Sequence, residues 1–169
     1  MLLNDMPLIT PTLINILRQR FTLDWQGFHG SPHWARVRQN GLRLAPLTGA
    51  NPRVIEYFAF LHDICRDNDD HDPWHGIRAA EFVKTLHKVL ELSVSEFEEL
   101  TTACAFHNDG YTTGYNTTIL TCWDADRLDL GRVFIRPNPR HLCTDAARDP
   151  EMLAWAYRRS TSRHHSPMY

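Results

Sequence analysis

An asparagine or aspartate followed directly by proline heads an apolar-periodic segment three times, at Asn51-Pro52, Asp72-Pro73 and Asp149-Pro150. The polar residue can cap a helix. Proline suits the first helical position, where its missing N–H would find no partner. After Asn51, the residues Phe58, Leu61, His62 and Cys65 follow the three-four spacing of one helical face, so His62 points inward with the core. After Asp72, the residues Ile77, Ala80, Val83, Leu86 and Leu90 predict a helix to about residue 90. Ser95 and Glu98 read as a capping box before a helix that ends near His107. Further helices are predicted over 10–20, 32–46 and 118–133, with a last one from 149 through 157. Residues 108–118 are rich in Gly, Asn and Thr and read as a loop, and the prolines of 135–142 forbid helix. No segment alternates as a strand does. The expectation is an all-α, single-domain bundle of about six to seven helices.

A length of 169 residues suits one domain with its own core, and no apolar run is long enough for a membrane span. The first residues, with Asp5 and two early prolines, do not read as a signal peptide, and a cytoplasmic location is expected. A formal net charge of −2 gives no general field for nucleic acid. The one basic cluster, residues 158–165, reads as a frayed, solvated tail. Cys65, Cys104, Cys122 and Cys143 form no CxxC pair, so buried free thiols are expected instead of a zinc finger or a disulfide framework.

Ten histidines stand out. His62-Asp63 closes an apolar helix, where a charged Asp is costly unless paired or bound to a cation. His33 and Asp126 belong to other predicted helices. Imidazole and carboxylate groups converging from several helices are what a divalent metal needs, although a lone core His is commonly just a hydrogen-bonding residue. The order of His33 in HWARVRQNGLRLA, His62-Asp63 in YFAFLHD and Asp126 in DADRLDLG resembles the HD superfamily of metal-dependent phosphohydrolases.

That resemblance covers roughly residues 29–135. It implies a metal-binding core there, an N-terminal helical extension over 1–28, and a C-terminal segment with a short helix over 136–169. It assigns His33, His62, Asp63 and Asp126 to one metal. Asp124 is the rival for the last position. Asp126 is preferred because the superfamily's final ligand is followed by a basic residue, here Arg127. His75 and His107 match two extra histidines that bind a second metal in part of the superfamily, with Asp63 bridging. The alternative is a one-metal site in which they contact substrate. His71 competes with His75. Gly110-Tyr111 is followed by Thr112, so the Gly-Tyr-Pro signature of the HD-GYP group is absent and nothing supports a cyclic dinucleotide substrate.

Arg66 and Arg127 are candidate phosphate binders, against surface pairing with Asp67 or Asp69 for Arg66 and a paired surface role for Arg127. His29 either shapes the pocket entrance or is an idle loop residue. Trp34, Trp74 and Trp123 read as core packing. With Asp63, His75, His107, Arg66 and Arg127 as the catalytic candidates, the resemblance implies hydrolysis of a small phosphorylated substrate, nucleotides among them, by metal-activated water. The one or two divalent ions are drawn from Mn, Fe, Mg, Co, Ni or Zn. Rival expectations are a diiron HD-type oxygenase and a non-catalytic HD-fold sensor or assembly domain. Oligomeric state is not legible.

Overall fold

The computed structural model describes residues 7–162. Among them are eight α-helices and no strand: α1 (Pro11–Arg20), α2 (Ser31–Thr48), α3 (Pro52–Leu61), α4 (His75–Thr85), α5 (Val94–Phe106), α6 (Thr117–Arg127), α7 (Asp145–Arg148) and α8 (Pro150–Thr161). Short 3-10 turns cover Leu130–Val133 and Pro139–His141. The eighth helix, beyond the six or seven expected, is the single turn α7, whose start is capped by the Thr144 side chain. No helix of the described residues is long and apolar enough to cross a membrane.

Two of the three cap-then-proline signals work as expected. The Asn51 side chain accepts from the Arg53 N–H, and that of Asp149 accepts from the Glu151 and Met152 N–H groups. The third does not. Helix α4 starts at His75 with no side-chain cap, because the Asp72 carboxylate is taken by the Asp67 N–H and the Arg78 guanidinium. It also ends at Thr85, and the buried Leu86 and Leu90 lie in the turns beyond. The capping box at the head of α5 is Ser93 with Glu96, two residues earlier than Ser95 and Glu98. Glu96 is held there by a tertiary contact, since the Asn51 side chain donates to it at 2.8 Å. Helix α6 stops at Arg127 and not at 133. In the tail, residues 158–161 continue α8 and Ser160 is buried, which replaces fraying with helix there; residues 163–169 lie outside the described residues.

Helix α2 is the axis of the bundle, with α3 on one side and α6 on the other. Two adjacent residues explain the fit. Asn40 is buried and donates to the Ala125 carbonyl of α6 at 2.9 Å. Gly41 lets both neighbours approach: a Cβ there would lie 2.4 Å from Ile55 Cγ2 and 3.3 Å from Ala125 Cβ. Helices α5 and α4 complete the layer. The main core joins Trp34, Phe58, Leu61, Leu100 and Trp123, and it includes Leu13 and Leu17 of α1. Trp34 and Trp123 are core residues as expected, whereas Trp74 is exposed. A second cluster seats α7 and α8 against the bundle through Leu44, Leu128, Leu142, Ala147, Met152 and Ala156.

The packing at Gly41 is testable. In Gly41→Ala the new methyl meets a β-branched side chain that cannot swing aside. Overpacking of about 1–3 kcal/mol then exceeds the helix-propensity gain of about 1 kcal/mol. The net loss of up to about 2 kcal/mol lowers the melting temperature by up to about 8 °C. An unchanged or higher value would contradict the close approach.

Candidate metal centre

The antiparallel run of the helices collects their ends at one pole. His33 lies in the first turn of α2 and His75 opens α4. His62 and His107 are the residues that end α3 and α5, Asp63 follows His62, and Asp126 lies in the last turn of α6. Three helix C-termini and two helix N-termini therefore meet at the cluster, so the helix ends largely offset one another and the side chains set its charge preference. Gly76 permits the contact of α4 with the end of α5, because a Cβ would lie 2.8 Å from the Ala105 and Cys104 carbonyl oxygens. That approach brings His75 against His107.

All six residues proposed as ligands from the sequence come together, and His33, His62, Asp63, His75 and His107 are nearly or fully buried. Each imidazole commits its Nδ1 to an acceptor. His33 Nδ1 donates to Asp129 at 2.7 Å, His62 to the Phe58 carbonyl at 3.1 Å and His107 to the Cys104 carbonyl at 2.8 Å; His75 donates to the Asp72 carbonyl. A neutral imidazole with hydrogen on Nδ1 carries a bare lone pair on Nε2. Yet the Nε2 atoms of His33 and His62 lie 3.1 Å apart, and those of His75 and His107 lie 2.8 Å apart. Two neutral rings of this kind would set lone pair against lone pair in both pairs, so positive charge belongs between them: either a proton on one Nε2, which then donates to the neighbouring carboxylates, or a metal ion.

The carboxylates add to that demand. Asp126 Oδ1 lies 3.4 Å from His33 Nε2 and 3.6 Å from His62 Nε2. Asp63 divides its oxygens. Oδ2 lies 3.6 and 3.7 Å from the Nε2 atoms of His33 and His62, and Oδ1 lies 3.2 and 3.5 Å from those of His75 and His107. Two groups of donor atoms have the closeness that one ion needs: His33, His62 and Asp126, and His62, Asp63 and His107. Donors about 3 Å apart are what a cation about 2.0–2.2 Å from each produces, so the donor set fits a divalent metal.

Burial alone would raise the carboxyl pKa of Asp63. The neighbouring charge of His62 and the hydrogen bonds from His107, His29 and His75 outweigh it, and the group is held well below the usual range. Asp126 is likewise held well below its usual range against burial, through His33 and His62. Burial, helped by Arg132, lowers the pKa of His33 despite Asp126 and Asp129, which keeps its ring neutral. Burial also disfavours the charged form of His62, but Asp63 and Asp126 prevail and raise its pKa.

Several placements differ from expectation. Asp124 neither faces the cluster nor lies on the surface. It is fully buried and accepts from the Cys143 and Thr144 N–H groups and the Thr144 hydroxyl, pinning the C-terminal segment to α6. Arg127 also leaves the cluster: its Nη1 donates to the His141 carbonyl at 2.9 Å. Successive residues on a helix lie about 100° apart, so Asp126 and Arg127 cannot share a face, whereas Asp124 and Arg127 nearly do. Arg66 makes neither of the ion pairs weighed for it. It donates to the Asn68 and Asp70 carbonyls and lies 3.9 Å from Asp63. His71 is exposed, while His75 is buried in the cluster.

Three participants went unread or were undervalued. His29, set against an idle loop role, is buried with Nδ1 2.8 Å from Asp63 Oδ2. Asp129 binds both His33 and Arg36. Arg132 donates to the Phe28 and Asp129 carbonyls. The signal was helical spacing, since Asp129 and Arg132 follow Asp126 at steps of three. A cleft of about 300 Å³ opens above the cluster, with Arg66 and Arg132 on its walls and Asp63, His75, His107 and Asp126 among its lining.

No protein-family model matches the sequence. No curated protein matches it. Among solved structures, the chain is similar to a predicted HD superfamily hydrolase from an uncultured Thermotogales bacterium, a crystal structure at 1.45 Å resolution. The two are 26% identical over 92% of this chain and 88% of that one, with a TM-score of 0.67. With its helices in that arrangement and its His33, His62-Asp63 and Asp126 gathered at one pole, the chain has the fold of an HD-domain helical bundle.

Proposed function

We propose that the protein is a metal-dependent phosphohydrolase that cleaves a small phosphoester, nucleotides among the candidates, with water. The observation that carries the reading is the convergence of four imidazole Nε2 atoms on the two oxygens of one buried carboxylate. His33, His62, Asp126 and Asp63 would hold one divalent ion, and His75 and His107 with Asp63 would hold a second. Such ions would supply Lewis acidity and an acidified water, the two requirements of phosphoester hydrolysis near neutral pH.

The chain's own residues do the rest. Asp129 fixes the tautomer and orientation of His33 and strengthens its ring as a donor, while Arg36 holds Asp129 in turn. Arg66 and Arg132 stand on the walls of the cleft, where planar guanidinium groups suit phosphoryl oxygens. Phosphate binding passes from Arg127 to Arg132, because Arg127 faces elsewhere. Burial of the cluster keeps bulk water out and strengthens every one of these interactions. The similar Thermotogales protein is itself described as a predicted hydrolase, which favours hydrolysis over the oxygenase and sensor readings.

Protein purified without chelator carries a divalent metal and hydrolyses members of a phosphoester panel. Chelation costs about 2.7 kcal/mol if free metal had exceeded its dissociation constant a hundredfold, and the melting temperature falls by about 5–10 °C. Identical melting with and without chelator would remove the metal from the model of the site.

Asp63→Ala abolishes metal content and turnover, and stoichiometric metal in that variant would sink the assignment. His107→Ala halves the metal content of a two-ion site; an unchanged content puts His107 in a one-ion site. Asp124 and Asp126 separate cleanly. Asp124→Ala leaves three donors unpaired and lowers stability by about 3 kcal/mol while metal content holds. Asp126→Ala loses metal with a smaller effect on the metal-free fold. Elemental analysis and chemical denaturation read both, and the opposite pattern would reverse the two roles.

A further inference from the structure

A second cavity, of about 230 Å³, shares Leu130 as a lining residue with the metal cleft. Its walls are apolar: Leu130, Ile135, Pro137 and Leu142. Its polar members are Arg127, Arg136, Asn138 and His141, and no acidic residue lines it. The metal cleft, by contrast, is lined by Asp63, Asp69, Asp70 and Asp126.

Arg127 is the unusual element. It is nine-tenths buried at 9% exposure, yet among the described residues no carboxylate forms an ion pair with it. Its Nη1 is spent on the His141 carbonyl and Cys143 Sγ, and the guanidinium lies 5.7 Å over the Trp123 ring. Its Nη2 is buried and reaches no hydrogen-bond acceptor in the protein. Asp124, one turn back, directs its oxygens to Cys143 and Thr144. Arg136 is exposed and stacks over Tyr157. A buried cation with an idle donor is costly unless something neutralises it.

We propose that this cavity binds the carboxylate of a small monoanionic molecule through the Arg127 guanidinium, with the apolar walls holding a compact hydrocarbon or aryl body. One buried cation matches one negative charge. A volume below the roughly 300–1,000 Å³ of pockets for drug-sized ligands limits the guest to a body about the size of one ring beyond the carboxylate. The site stands apart from the metal chemistry and holds whether or not the protein is a phosphohydrolase.

Benzoate is a suitable probe and benzamide its uncharged counterpart. In a titration of the ¹⁵N-labelled full chain followed by NMR, benzoate shifts the amides of Gly110, Asn138 and Leu142. Benzamide binds about tenfold more weakly or worse, the loss expected when a charge-assisted hydrogen bond goes. Arg127→Met weakens benzoate by a similar factor. Because that change also removes the bond to His141, Ile135→Asp is the second variant. It places a negative charge at an exposed position of the cavity wall and excludes benzoate with Arg127 intact. No saturable shifts, shifts confined to the metal cleft around His75 and Asn108, or unchanged affinity in Ile135→Asp would each overturn the proposal. Benzoate binding that persists in Asp63→Ala separates this site from the metal centre.

Discussion

The Asp63 carboxylate is the constraint around which the rest is arranged. It is 2% exposed, and a buried carboxylate is tolerated only where donors or cations surround it. Here His29, His33, His62, His75 and His107 all stand within 3.7 Å of its oxygens, reached from the ends of α2, α3, α4 and α5 and the loop before α2. A bundle whose helices ended elsewhere could not supply that shell. The demand for positive charge at one pole thus fixes where helices stop as much as their own sequences do.

The same demand explains why small residues sit where they do. His33 and Asp126 meet because α2 and α6 touch at Gly41 and Asn40, and His75 meets His107 because Gly76 lies directly on the carbonyl end of α5. These are packing requirements with a chemical consequence. A methyl group of side-chain volume at either glycine moves a helix, and moving a helix separates ligand atoms that lie about 3 Å apart.

What the sequence disclosed follows from how local each determinant is. Helical period and the caps at Asn51 and Asp149 are decided within a turn, and they located their helices correctly. The histidine and aspartate ligand candidates were legible from their order in the chain, and the structure gathers them. Where a tertiary partner competed, local reading failed. Asp72 left the helix start for Arg78, and Asn51 drew Glu96 into a box that two overlapping Ser-x-x-Glu patterns could have formed. Asp129 and His29 were missed for the same reason: their partners lie 96 and 34 residues away. Helical phase alone, however, separates Asp126 from Asp124 and Arg127, which lie on two faces of α6 with opposite duties.

Those two faces give α6 its place in the molecule. One side contributes Asp126 to a pole rich in lone pairs and carboxylates, a field that attracts cations. The other carries Arg127 into an apolar cavity without an acid, a field that attracts anions, while Asp124 beside it ties down the C-terminal segment that walls the cavity. The cavities are divided by Leu130, which follows α6 and lines both. Opposite charges in low-dielectric surroundings attract strongly unless each is neutralised locally. Asp126 has its imidazoles for that purpose. Arg127 has a carbonyl, a sulfur and an indole face, none of which carries a negative charge, and this imbalance is the physical reason to expect an anionic guest.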